Sequence, residues 1–165
     1  MLAISIREPV CSLIASGWLR TNERSWATTY RGPIALHASD RTGAAQYDLF
    51  AKPIIREAWR RETGTVRLCD SPKGAIIGLA ILNQCLEVRK IFSGDPQGVY
   101  LSPRDNLVNP LHMESFLIKF RDAYLLSEPI YCAGGKGLFE LDARVARQLK
   151  CQVTSEYERY AAVSV

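Results

Sequence analysis

The sequence predicts a small α+β fold built around a curled sheet. Three observations carry that expectation. Short runs with strand-type alternation outnumber helical patterns. The one long helical pattern, at 43–61, falls between strands. A length of 165 residues, 47% hydrophobic and 23% charged, suits one domain of ordinary globular balance.

The elements follow in chain order. Leu2–Ile6 alternates apolar and small polar residues and reads as a first strand. Pro9 suits the first turn of a helix, where its missing N–H costs little. Val10, Leu13 and Ile14 give that helix an apolar face, and Gly17 can end it. Leu19–Arg24 and Pro33–Ala38 read as strands around a polar turn. In 43–61, Tyr47, Phe50, Ala51, Ile54 and Ala58 form one helical stripe. Pro53 interrupts it and predicts a kink or two abutting helices. Residues 65–69 and 75–88 read as strands joined by Ser71-Pro72-Lys73-Gly74. Residues 89–113 hold three prolines and two glycines without a clear period, and read as a long loop insertion. Ser115–Leu126 returns to strand, Tyr131–Lys136 is a Gly-rich turn, and Leu141–Leu149 is a final amphipathic helix. Cys151–Thr154 reads as one more strand.

Composition narrows the function. The longest apolar run, Ala75–Leu82, has eight residues, far short of the roughly 18–20 that span a bilayer. No signal-peptide pattern opens the chain, so a cytoplasmic protein without membrane partners is expected. The five cysteines are scattered, form no CxxC pair, and have only His37 and His112 for company. Reduced thiols are therefore expected, with no metal site and no cofactor. The net charge is +4, and its distribution says more than its size. Residues 1–61 hold nine basic and five acidic side chains, while the remainder is balanced at twelve of each. Fifteen of the basic residues are arginines, whose planar fork suits phosphate and stacks on rings.

The same first third carries the most unusual stretch, GWLRTNERSWATTYRGPIALHAS at 17–39. Trp18, Trp26 and Tyr30 lie among Arg20, Arg24 and Arg31. Aromatic side chains stack on bases for about 1–3 kcal/mol each, and arginines hold phosphate. Two tryptophans in the core with solvated arginines would give the same pattern, and both readings stay open. His37, between Leu36 and Ala38, fits a hydrogen-bonded core histidine; it is also the candidate general acid/base. Ser39 can bind a ligand or cap a helix. In Ala133-Gly134-Gly135-Lys136-Gly137, Gly135 permits close backbone approach and Lys136 can meet a phosphate. The segment lacks the GK[ST] ending of a nucleotide loop, and a tight turn explains it equally well. HExxH, GxSxG and spaced carboxylate clusters are all missing from the sequence.

Two blocks, ISIREPVCSLIASG and ERSWATTYRGPIALHAS, resemble the ASCH domain of the PUA-like superfamily. Arg24-Ser25-Trp26, Tyr30-Arg31-Gly32-Pro33 and Leu36-His37-Ala38-Ser39 match motifs of bacterial members. EPIYCAGGKGLFEL is similar to the closing half. The likeness spans about residues 2–149, with 89–113 as an insertion in a single 1–165 domain. Leu19 stands where the Gly-x-Lys-x-x-Glu signature has lysine, and Asn22 where it has Glu or Thr.

The resemblance implies a PUA-like β-barrel, a curled mixed or antiparallel sheet with flanking helices and a cleft beside it. It implies binding of single-stranded RNA or a nucleotide-like ligand. The residues expected to line the cleft are Trp18, Arg24, Ser25, Trp26, Tyr30, Arg31, His37, Ser39, Gly135 and Lys136. Some members cleave RNA or hydrolyse nucleoside amides, which makes a His37-dependent enzyme the alternative. The related amidohydrolases use the signature lysine, and Leu19 can serve as neither nucleophile nor base. A protein-interaction module, with Ile91, Phe92, Val99, Tyr100 and Leu101 as an apolar patch, is a further alternative.

Overall fold

The computed structural model describes residues 1–93 and 101–163, with side chains described up to residue 155. Six strands, β1 (Leu2–Ile6), β2 (Thr21–Arg24), β3 (Gly32–Ala38), β4 (Ala75–Glu87), β5 (Phe116–Tyr131) and β6 (Leu138–Glu140), form one sheet. The strand order is β2-β5-β4-β3-β1-β6. Only β1 and β3 run parallel, so the sheet is mixed. It curls into a half-barrel of α+β class with β2 and β6 at its edges, as the sequence predicts.

The curl has a local cause. β4 and β5 pair over most of their 13 and 16 residues. Their register slips between Ile76 and Gly78, between Leu79 and Ile81, and between Leu82 and Gln84. Each slip is a bulge-like irregularity of the kind that bends a strand and adds twist. Pro129 lies in the first of these, between the pairs Ile76–Ile130 and Gly78–Leu125, where no ladder hydrogen bond is required of it.

Strand alternation gives the sheet two apolar faces. Ile4, Ile6, Leu36 and Ala38 point to the main core, shared with the helices α1 (Val10–Ala15) and α3 (Pro53–Thr63). Ala3, Ala35 and Ile76 point the other way and meet Val145 and Leu149 of α6 (Ala143–Val163). Gly78 seats α1 on the sheet: a Cβ there would lie 2.7 Å from both the Ala15 Cβ and the Tyr124 carbonyl.

Three details of the sequence reading are corrected. Residues 43–61 form two abutting helices at Pro53, as expected, α2 (Ala44–Ala51) and α3, but the single stripe does not run through both, because Lys52 is extended at ψ 125°. The second helix therefore starts with a new phase. It buries Ile55, Ala58 and Trp59, and leaves Ile54 exposed. Residues 65–69 form no strand; a 3-10 turn at Leu68–Asp70 stands there. Both edges of β4 are already occupied, by β3 and β5, so no partner remains for it beside β4. Cys151–Thr154 is helical, because α6 runs on and Val153 continues the apolar row of Val145 and Leu149.

The 89–113 excursion carries part of α4 (Val88–Phe92) and all of α5 (Pro103–Val108). Of the apolar patch read from the sequence, Phe92 is exposed and Ile91 and Leu101 half-buried. Val99 and Tyr100 lie outside the described residues. Among the described residues, no helix is long and apolar enough to cross a membrane.

Candidate functional site

A cleft of about 980 Å³ opens between β2, α2 and the segment 106–115. Its base is Ile6, Arg7 and Val10, where β1 passes into α1. The segment becomes a wall because buried polar groups stitch it to β2. Ser102 caps α5 by accepting from the Asp105 N–H, with Pro103 in the first turn. Asp105, buried, accepts from the Arg20 N–H at 3.0 Å and the Thr21 hydroxyl at 2.8 Å. Asn109 accepts from the Glu23 N–H at 2.9 Å and donates to Thr21 Oγ1 at 2.9 Å. Lys52 Nζ donates to the Leu107 carbonyl at 3.2 Å and joins the two walls.

β2 divides its side chains by alternation. Glu23 accepts from the Leu111 and His112 amides at 2.9 and 2.5 Å, and from the Ser115 hydroxyl. Burial alone would push its carboxyl up, but these donors together hold it below its ordinary value. Asn22 and Arg24 share a face of β2, and both line the cleft. Arg24 Nη2 donates to the Ser5 carbonyl at 2.6 Å, and its guanidinium carbon stands 6.0 Å from the Trp26 ring centre. Two buried atoms here, Arg24 Nε and Asn22 Oδ1, have no hydrogen-bond partner among the described residues. Burial, with Arg7 adding like-charge repulsion, pushes the Arg24 pKa down to about 10. The group therefore stays cationic at neutral pH. No carboxylate among the described residues lies within ion-pair distance of it.

Ser5 links this arginine to His37. The neighbouring strands β1 and β3 place Ser5 opposite His37, with Ser5 Oγ 3.1 Å from His37 Nδ1. His37 Nε2 lies 3.1 Å from the Cys132 carbonyl, which can only accept. Nε2 therefore carries the proton, and Nδ1 accepts from the Ser5 hydroxyl. Burial holds the imidazole pKa below its ordinary value, consistent with this neutral form. Gly134 covers the ring so closely that a Cβ would lie 2.6 Å from Cε1 and 2.8 Å from Ser5 Oγ. Phe139 meets the ring edge-on at 5.9 Å. Both ring nitrogens are thus engaged: Nδ1 ties His37 to β1, and Nε2 holds the Gly-rich turn against the sheet.

Of the ten residues expected at the site, Arg24 and Ser25 line this cleft. Trp26 packs partly buried beside Arg24, and His37 connects to Arg24 through Ser5. Ser39 donates its N–H to the Ile6 carbonyl at 2.9 Å, near the cleft base. Gly135 packs on Phe139, and Lys136 is exposed beside it. Neither Gly135 nor Lys136 lines the cleft, and the other three are also elsewhere. Trp18 is buried under Arg104, whose guanidinium carbon is 5.1 Å from the ring centre. Tyr30 donates its hydroxyl to the Pro33 carbonyl at 2.6 Å. Arg31 donates to the Thr28 and Tyr30 carbonyls of its own loop. Leu19, at the signature lysine position, is buried in the main core.

The sequence reading missed the α2 wall and the stitched segment. The Ser102-Pro103-Arg104-Asp105 capping pattern was a signal for α5, although nothing local says where α5 docks.

No protein-family model matches the chain, and no curated protein matches it. Its fold does match solved structures. ASCH from Zymomonas mobilis superposes with a TM-score of 0.51 at 14% identity, covering 91% of this chain and 93% of that one. Two single-residue variants of that protein give TM-scores of 0.51 and 0.50, again at 14% identity and 91% of this chain. They are covered over 96% and 94% of their lengths. The likeness is one of architecture, and the chain has the ASCH fold.

Proposed function

We propose that this single-domain protein binds single-stranded RNA or a modified nucleotide in the cleft at Arg24, in the cytoplasm. One observation carries the reading: a largely buried, charged guanidinium that forms no ion pair among the described residues and leaves Nε without a hydrogen-bond partner there. Such a group is costly in a fold unless an anion completes it. A phosphate oxygen suits it, because arginine presents a planar fork of donors. Asn22 Oδ1 offers an acceptor for a base amine in the same cavity. Trp26, beside Arg24, supplies a ring on which a base can stack. A volume of about 980 Å³ lies at the upper end of ordinary small-ligand sites, enough for a nucleotide.

In this reading the 89–113 excursion is an insertion that forms one cleft wall, and His37 positions the Gly-rich turn rather than moving protons. Fluorescence anisotropy with a labelled single-stranded RNA, at low and high salt, tests it. Arg24→Gln should weaken binding about tenfold or more and reduce the salt slope by about 0.7, one phosphate contact on a single strand. Unchanged affinity and slope in Arg24→Gln would overturn the assignment.

A further inference from the structure

A second cavity, of about 570 Å³, shares no lining residue with the cleft. It lies where α1 and α3 meet β4 and β5, and is bordered by Ser12, Trp59, Thr65, Pro72, Tyr124 and Pro129 among others. Its chemistry is unlike that of the cleft. No charged side chain lines it, so nothing there offsets the desolvation of an ion. Four of its eleven lining residues present flat faces, an indole, a phenol ring and two prolines, beside aliphatic and hydroxyl side chains.

Two residues that line this cavity carry polar groups of defined sense. Trp59 is fully buried, and its Nε1–H has no hydrogen-bond partner among the described residues. Indole nitrogen is a donor only, so it calls for an acceptor. Ser12 is the converse case. Its hydroxyl donates to Glu8 Oε1 at 2.7 Å and its N–H to Glu8 Oε2 at 3.0 Å. With its proton engaged, Ser12 Oγ offers lone pairs, which call for a donor. We propose that this cavity is a binding site for an uncharged, flat aromatic carboxamide or lactam. The ligand carbonyl would take the Trp59 indole N–H, its N–H would reach Ser12 Oγ, and its ring would lie among the prolines and Tyr124. The volume falls within the roughly 300–1,000 Å³ of ordinary ligand sites. The inference stands apart from RNA binding in the cleft.

The probe is benzamide, with benzoate as its charged counterpart, titrated into the whole ¹⁵N-labelled protein at about pH 8. The indole N–H resonances of Trp18, Trp26 and Trp59 are followed. Trp59→Phe assigns its peak by loss; if that variant does not fold, Trp18→Phe and Trp26→Phe assign it by elimination. Benzamide should move the Trp59 resonance, and benzoate should leave it in place. Thr65→Trp, which fills the cavity from its lining, should weaken benzamide at least about tenfold, while Arg24→Gln should leave it unchanged. A Trp59 resonance that stays fixed up to about 10 mM benzamide overturns the proposal. So does benzoate binding as tightly as benzamide, or a folded Thr65→Trp that binds benzamide normally.

Discussion

Glu8 sits at the start of α1 with no solvent-exposed surface, and its substitution reads out directly in stability. Burial pushes its pKa up from 4.5 to about 7, against the two Ser12 hydrogen bonds and the charge of Lys73, which act downward. The native state thus holds the Glu8 proton more tightly than the unfolded chain. The associated stability is fully present below pH 4.5 and is lost as pH rises to about 7. At 1.36 kcal/mol per unit, the loss is roughly 3 kcal/mol. Two other groups act in the opposite sense. The His37 imidazole and the Glu23 carboxyl both titrate below their ordinary values, so each loses stability as pH falls. The wild-type profile is therefore blunted, and the useful quantity is its difference from Glu8→Gln. Glutamine keeps the shape, and its carbonyl oxygen can still accept from the Ser12 N–H, yet it does not titrate. Urea denaturation followed by tryptophan fluorescence, from about pH 4 to about pH 8, measures that difference. Glu8→Gln should gain on the wild type by roughly 3 kcal/mol across the range, a midpoint shift of about 1–3 M. A difference constant to within about 0.5 kcal/mol would refute the reasoning, because only a Glu8 that titrates alike in the folded and unfolded states gives no differential titration.

Two further substitutions test the supports of the site. Asp105→Ala leaves the Arg20 N–H and the Thr21 hydroxyl without their acceptor, and should cost about 1–3 kcal/mol. Hydrogen exchange should quicken at residues 102–115 while β1 and β3 stay protected; uniform exchange throughout would show that Asp105 does not hold the wall. Gly134→Ala drives a methyl group into His37 and should cost about 1–3 kcal/mol in thermal unfolding. Combined with His37→Ala it should show a coupling of at least about 0.5 kcal/mol, and strict additivity would place the strain elsewhere.

Much of the fold was legible because the information is local. Leu2–Ile6, Pro33–Ala38 and Ala75–Leu82 read as strands from their own alternation or apolar runs, and all three lie in the sheet. Pro53 marked the break between α2 and α3 for a steric reason that needs no neighbours. The misreadings have non-local causes. Residues 65–69 have an extended pattern, but β4 has no free edge beside them. Cys151–Thr154 is too short to betray its period until Val145, Leu149 and Val153 are seen on one apolar face. The site divides in the same way. Arg24 and Ser25 were legible as part of an unusual local block. The wall opposite them was not, because Asp105, Asn109 and Glu23 make their contacts across 84 to 92 residues. Trp18 shows the limit of proximity in sequence: six residues from Arg24, it packs instead under Arg104 of the distant α5.

The charge surplus of residues 1–61 also takes a definite form. Eight of the nine basic residues in 1–61 are exposed, where water and salt screen their fields within about 10 Å. Arg24 is the exception, and its cost is not offset by an ion pair. The nearest carboxylate along the chain, Glu23, could have balanced it. Glu23 also lines the cleft, but strand alternation turns its carboxyl to the wall, where the Leu111, His112 and Ser115 donors hold it. The interactions that close the cleft wall are therefore the same ones that leave the cation uncompensated. Freeing Glu23 would remove the wall and restore a counter-charge together. The cleft lining also carries Lys52, Asp48 and Glu114, so its overall charge is mixed; in the proposed reading it is the unpaired Arg24, rather than the net charge of +4, that RNA affinity should follow.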